Sequence, residues 1–281
     1  MIYIEHPKRR GRSIRTKEIV RKRRSHQRSK RGHEERRVPP RLRSRLAGSS
    51  APTSHRVTSA EFFSLPPSLA AFASFFPADV PPWAWLKQIG AALAAADFSG
   101  GQALPPGIHV EGPVFVHPTA QLPSYATLIG PIWIGPETKL LPGCYLRGNV
   151  IVGARCTVGH NAEIKNSLLM DGVQIPHRPY VGDSILGNGA HLGAGAVLSN
   201  LRLDQQTITV RLPTGTFDTG LRKFGAILGD KAEVGCNAVL QPGTLLGPRA
   251  LVMPTMAFGG YLPPALIARV RGQVSTFPRR D

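Results

Sequence analysis

Between Leu104 and Met170 an aliphatic side chain recurs at every sixth residue: Leu104, Val110, Val116, Leu122, Leu128, Ile134, Leu140, Leu146, Val152, Val158, Ile164 and Met170. With about a third of positions aliphatic, chance would produce such a run roughly once in 500,000 registers. Four residues after each, the side chain tends to be small or β-branched: Val114, Ala120, Ala126, Ile132, Thr138, Cys144, Val150, Cys156 and Ala162. A period of six is neither the 3.6 of a helix nor the 2 of a half-buried strand. It predicts a solenoid in which each hexapeptide supplies one short strand and one corner. The large residue points into a narrow prism, the small one fits beside it, and stacked coils build one continuous core. Cys144 and Cys156 fall in the small slots and read as buried, inert thiols. The rhythm slips by one near Val181 and resumes at Leu186, Leu192 and Leu198. It breaks across residues 199–227, then returns at Leu228, Val234, Leu240, Leu246 and Val252. The break predicts an extruded loop, a frequent home for function. After Pro254 the pattern stops, so residues 256–281 are expected as a C-terminal arm, with Pro264–Val274 a short helix or arm.

Ahead of the repeat, Leu69, Ala70, Phe72, Phe75 and Phe76 form an apolar run closed by Pro77. Asp79 and the pair Pro81-Pro82 then open a stretch with Trp83, Leu86, Ile89, Gly90 and Leu93 at helical spacing. Residues 57–100 therefore predict a small helical cap docked on the solenoid, which would occupy residues 101–255.

Charge changes the picture only at the front. The 281-residue chain carries a net charge of +18, but residues 1–50 hold 18 basic and 4 acidic side chains. "Basic" thus describes a tail rather than the fold. Residues 1–56 have too few apolar side chains for a core and are expected to be disordered. An alternative start near Val57 would leave them unmade. If present, they are the only part suited to nucleic acid; the remainder offers no support for it. No apolar run reaches the roughly 20 residues of a membrane-spanning helix. Three cysteines without a Cys-x-x-Cys pair argue against a disulfide framework or a multi-cysteine zinc site. Reduced thiols in a cytoplasmic protein are the expectation.

Candidate chemistry clusters around the slip. Arg147 and Lys165 lie 18 residues apart, three hexads, so they should stack on successive coils about 4.8 Å apart. Two such cations need an anion between them: Glu163, or a bound phosphate. His177 sits in Ile175-Pro-His-Arg-Pro-Tyr180, where a ring is more exposed than in a regular slot, and a neutral imidazole suits general-base work. His109, His117, His160 and His191 show no metal-ligand spacing, so no metal is expected. There is no nucleophile elbow, P-loop or Rossmann fingerprint.

The hexapeptide pattern resembles the left-handed parallel β-helix acyltransferases. The run Gly159-His-Asn-Ala-Glu-Ile-Lys165, then His177-Arg-Pro-Tyr-Val-Gly-Asp183, Leu192-Gly-Ala-Gly195 and Asn200 sharpens the likeness. It is similar to the acetyltransferase domain of bifunctional N-acetylglucosamine-1-phosphate uridyltransferase/glucosamine-1-phosphate acetyltransferases. Asp218-Thr-Gly-Leu-Arg-Lys-Phe-Gly-Ala-Ile-Leu-Gly229 resembles the archaeal-type sugar-1-phosphate nucleotidylyltransferases that carry such a domain.

The resemblance implies left-handedness, a homotrimer and acetyl-CoA as co-substrate. It implies an N-acetyltransferase for glucosamine 1-phosphate or galactosamine 1-phosphate, in nucleotide-sugar precursor synthesis. His177 would take the amine proton, Glu163 would orient the imidazole, and Asn200 would position His177 or the acetyl group. Arg147, Lys165, Tyr180, His191 and Lys223 would hold the acceptor. Ala194, through its backbone N–H, together with Cys236 and Arg222 would face the acyl-CoA. His191 and Cys236 replace an Asn and a Ser of the bacterial enzymes, which leaves the acceptor sugar and acyl donor open. The family's nucleotidyltransferase domain has no counterpart in residues 1–100, so nucleotidyl transfer would need a separate partner. Two alternatives stand beside this reading: a non-catalytic β-helix partner of a sugar nucleotidyltransferase, and an O-acyltransferase acting on another sugar.

Overall fold

The computed structural model describes residues 57–270 and 272. The basic tail, with the disorder expected of it, lies outside the described residues. From Ile108 to Ala268 the chain is a parallel β-solenoid whose short strands pair with those one coil above and below. Leu128, Ile134, Leu140, Leu146, Val152, Val158 and Ile164 fill its interior, with Ala126, Cys144, Cys156 and Ala162 beside them. Thr138 occupies one small slot fully buried. Its hydroxyl donates to the Gly153 carbonyl (2.7 Å) and accepts from the Cys156 N–H (3.0 Å). Corners recur where φ is positive: Glu137, Arg155, Gly172, Gly189, Lys231 and Arg249 on successive coils.

Several sequence expectations need correction. Met170 is buried, but outside the prism in the layer beneath the cap; Leu169 takes the inward slot, paired with Val152 and Leu186. The register changes from Arg147↔Lys165 to Val150↔Ser167, so the slip occurs first at Asn166, and Val181 to Leu186 repeats it. Val110, at the first coil, is exposed because no earlier coil covers it. At the other end the solenoid outlasts its period. Leu246 pairs with Leu262 and Val252 with Ala268. Coils shortened to 16 residues break the six-residue count without breaking the prism. Ile267–Ala268 is a strand rather than part of a helix.

Residues 199–227 do not simply protrude. Thr209–Leu212 and Gly215–Asp218 form an antiparallel hairpin, and Ile208, Val210 and Phe224 are buried in an apolar layer on the solenoid's outer face. The same layer holds the cap. Its segments Ser59–Glu61, Pro67–Phe75 and Pro82–Lys87 are 3₁₀ turns, followed by one α-helix, Ile89–Ala94. Pro67–Phe75 is interrupted at Leu69, whose backbone leaves the helical region, so its turns stay short. Trp85, Leu69, Ile89 and Leu93 bury against Ile151, Leu168, Ile185, Ile227 and Leu245. Phe72 meets Trp133 edge-on at 5.4 Å. Polar pins fix the seam: Ser68 donates to Asp171, and Asn188 Nδ2 donates to the Ser64 carbonyl at 2.8 Å.

Candidate functional site

Strand alternation writes a small grid on one outer face. Leu146, Ile164 and Val181 point inward, so Tyr145 and Arg147, Glu163 and Lys165, and Tyr180 and Gly182 point outward. The register aligns Tyr145, Glu163 and Tyr180 in one column and Arg147, Lys165 and Gly182 in the next. Stacked cations avoid each other by leaning diagonally. Arg147 donates through Nε (3.0 Å) and Nη2 (2.8 Å) to Glu163 Oε1. Lys165 Nζ reaches Asp183 Oδ2 at 3.1 Å. The anion between the cations is thus Glu163 for Arg147, as spacing suggested, and Asp183 for Lys165.

Nothing in the spacing assigns Asp183 a role. It is buried and sits at a corner with φ 47°, in line with Asn166 (φ 45°) and Asn149 (φ 54°), residue types that tolerate this conformation. Its carboxylate also accepts from Asn166 Nδ2 (2.8 Å) and from Asn200 Nδ2. Asn200 stands beside the Tyr180 hydroxyl in the space left by Gly182. Burial, then Glu163 and Asp183 nearby, push the Tyr180 phenol above its usual range, so it remains a protonated donor at neutral pH. The four charges of Arg147, Glu163, Lys165 and Asp183 sum to zero.

The loop restores positive charge. Its neck closes through the Leu201–Lys223 bridge, Phe224 N–H donates to the Asn200 carbonyl (2.9 Å), and Gly225 N–H donates to the Asp183 carbonyl (2.8 Å). This brings Arg222 and Lys223 to a cavity of about 490 Å³ shared with Asn166, Asp183, Leu86, Leu201 and Leu221. A second cavity of the same volume, across the Asn166–Asp183 edge, is lined by Tyr145, Arg147, Asn149 and Lys165.

His177 lies around the corner, last in the strand Gln174–His177 on the neighbouring sheet, in register with His160 and exposed. The expected Glu163–His177 contact is not made, because the corner at Arg178-Pro179 separates the two faces and Glu163 is engaged by Arg147. Asn200 likewise meets Asp183 and Tyr180 rather than His177. Backbone bonds from Gly195 to His177 and from Asn237 to Ala194 stack His177, Ala194 and Cys236 on successive coils. Among the described residues no hydrogen bond uses the Ala194 N–H, and Cys236 is exposed. His191 is half-buried in the second sheet between Gln174 and Glu233, apart from both groups. The proposed residues therefore form two groups on either side of one corner: His177, Ala194 and Cys236, and the charged grid with the loop cations. Among the described residues no cluster of three or more His, Cys, Asp or Glu is placed to hold a metal, and no helix is long and apolar enough to cross a membrane.

Residues 128–252 match a family model described as the GMPPB C-terminal domain. The chain is 33% identical over 147 residues to a bifunctional sugar-1-phosphate nucleotidylyltransferase/acetyltransferase of Sulfurisphaera tokodaii, covering 52% of this chain and 37% of that one. It is 37% identical over 111 residues to the bifunctional protein GlmU of Methanococcus vannielii, covering 40% and 27%. It is 32% identical over 156 residues to the uncharacterized acetyltransferase YaiX of Escherichia coli, covering 47% and 68%. The chain thus spans about a quarter to two fifths of the bifunctional relatives and two thirds of the last.

Proposed function

This chain belongs to the hexapeptide-repeat β-helix acyltransferases, and from that premise we propose that it transfers the acetyl group of acetyl-CoA to the amine of an amino-sugar 1-phosphate. The reading is supported above all by one arrangement: an exposed imidazole, His177, with the unspent Ala194 N–H one coil above it, beside a face that carries the loop cations. In the reaction the amine nitrogen attacks the thioester carbonyl carbon while His177 removes its proton. The tetrahedral oxyanion accepts from the Ala194 N–H, a preorganised donor. Collapse breaks the carbon–sulfur bond, and the CoA thiolate recovers the proton from His177.

Arg222 and Lys223 supply the charge that a phosphate dianion needs, because Lys165 is already neutralised by Asp183. Arg147, a third exposed, can exchange Glu163 for a phosphate oxygen. Tyr180 donates its hydroxyl, and Asn200 and Glu163 hold the acceptor face in shape. His191 lies on the acceptor's side of the next subunit in the homotrimer that the resemblance implies, and Cys236 contacts the acyl-CoA, whereas Arg222, expected there from the resemblance, lines the acceptor cavity with Lys223. Nucleotide-sugar precursor synthesis, a cytoplasmic setting and a separate nucleotidyltransferase partner belong to the same proposal.

One observation favours a second reading. Because the grid is neutral, an uncharged sugar could be the acceptor, with an O-acyl product. CoA release by the purified chain with acetyl-CoA and glucosamine 1-phosphate or galactosamine 1-phosphate tests both. Turnover only with the phosphorylated amines, lost in His177→Ala, is the expected result. Turnover with unphosphorylated sugar alone selects the second reading, and no turnover with any acceptor overturns both.

A further inference from the structure

The cap reaches the candidate acceptor site. Leu86, buried in the turn Pro82–Lys87, lines the same cavity as Asn166, Asp183, Arg222 and Lys223. One turn later Gly90 faces the Asn149 side chain, which a Cβ there would meet at 3.6 Å, and Asn149 lines the second cavity. Lys87 Nζ lies against Gly220 of the loop. The segment Leu86–Gly90 therefore runs along the edge where the two cavities meet.

This wall is held rigidly. Trp85 is almost fully buried, packs on Phe63 (5.0 Å) and Phe76 (5.1 Å), and donates through Nε1 to the Pro77 carbonyl at 2.8 Å. Trp83 packs on Phe217 of the hairpin at 5.9 Å. Leu86 follows directly on the anchored Trp85 in the same short turn, so it has little freedom to retreat from a ligand. The cavity has three unlike sides: cations from the loop, amide and carboxylate from the corner, and the leucines Leu86, Leu201 and Leu221. A hydroxylated ring with one anionic group suits it, the ring's C–H face against the leucines and the anion against Arg222 and Lys223.

We propose that Leu86 is a specificity-determining residue of the acceptor pocket, limiting the acceptor to a sugar monophosphate and excluding larger anionic groups such as a nucleoside diphosphate on the same sugar. This inference rests on the function proposed above. Residues 57–98, which supply the wall, lie outside the 128–252 segment that matches the family model.

The test compares kcat/KM for an amino-sugar 1-phosphate with that for the corresponding nucleoside diphosphate amino sugar. It uses the full chain and the variants Leu86→Ala and Leu86→Val. The valine variant removes one methylene and keeps the question open if alanine unfolds the cap; tryptophan emission from Trp83 and Trp85 reports folding. Leu86→Ala should raise the large-to-small ratio about tenfold, with a smaller shift of the same sign for valine. The KM for acetyl-CoA should move less than about twofold. Folded variants with an unchanged ratio, or with equal effects on acceptor and acetyl-CoA, overturn the proposal while leaving the acetyltransferase reading intact. A wild-type chain that turns over no phosphorylated amino sugar overturns both.

Discussion

Gly182→Ala separates catalytic geometry from stability. Gly182 is an extended strand residue without positive φ, so alanine fits the backbone and the question is one of space. An added Cβ would lie 2.6 Å from both Asn200 Nδ2 and the Tyr180 hydroxyl, and 2.9 Å from Tyr180 Cζ. Carbon contacts settle at about 3.5 Å or beyond, so these atoms must retreat by roughly 1 Å. Asn200 is tied to Asp183 and Tyr180 is a rigid ring, so the retreat moves the acceptor-holding groups themselves. Because the displaced atoms are side-chain ends rather than backbone, stability should fall by only about 1 kcal/mol, a few degrees in Tm at this size. A 1 Å misplacement in an active site can cost up to about 100-fold in rate, so kcat/KM for the acceptor should fall roughly 10- to 100-fold. The CoA-release assay and a thermal melt on the same sample give both numbers. A kcat/KM within about twofold of wild type would refute the placement of Tyr180 and Asn200 in the acceptor site. The contrast is Gly225→Ala, whose Cβ would run into the Gly182 carbonyl and Ser184 Oγ and should lose stability first.

Further expectations follow from the same contacts. Asp183→Asn strands a Lys165 ammonium that is 21% exposed, and should cost about 1–3 kcal/mol in urea melts; a loss below about 0.5 kcal/mol would show that Asp183 does not hold the corner. Thr138→Val leaves the Gly153 carbonyl and Cys156 N–H without their partner and should cost about 1–3 kcal/mol, again read by urea melts, an unchanged midpoint speaking against it. Burial pushes Cys144 and Cys156 up to about 12, so both remain protonated thiols throughout the neutral and mildly alkaline range. A thiol reagent near pH 8 should therefore find one fast cysteine, Cys236, in the folded chain and all three after denaturation. Fast reaction of a second thiol in the native state would contradict the packing.

How much was legible in advance varies by residue. Leu146, Ile164, Cys144 and Cys156 could be assigned to the interior because a prism demands a large and a small side chain at fixed intervals. Met170 failed the same test: one residue dropped at Asn166 hands the inward slot to Leu169, and both residues are aliphatic enough to satisfy the count. The terminal coils failed it for the opposite reason. They shorten to 16 residues while still pairing, which a count of six reads as an end. His177 and Arg147 were visible as chemistry-bearing residues, and Glu163 as an anion for the stacked cations, but the pairing of Lys165 with Asp183 was not.

Periodicity by itself determined the solenoid, its stacking and which faces point outward, since each coil answers only to the coil beside it. Tertiary structure decided that Glu163 serves Arg147 rather than His177. It decided that Asp183 gathers Lys165, Asn166 and Asn200, that the loop folds back to deliver Arg222 and Lys223, and that Leu86 walls their cavity. The physical reason is range. A hexad specifies neighbours one coil away. Diagonal ion pairs, left-handed corners and an apolar cap close contacts between faces, across the loop that separates Ile185 from its partner Ile227, and from the cap to the corner at Asn149; no local pattern encodes these.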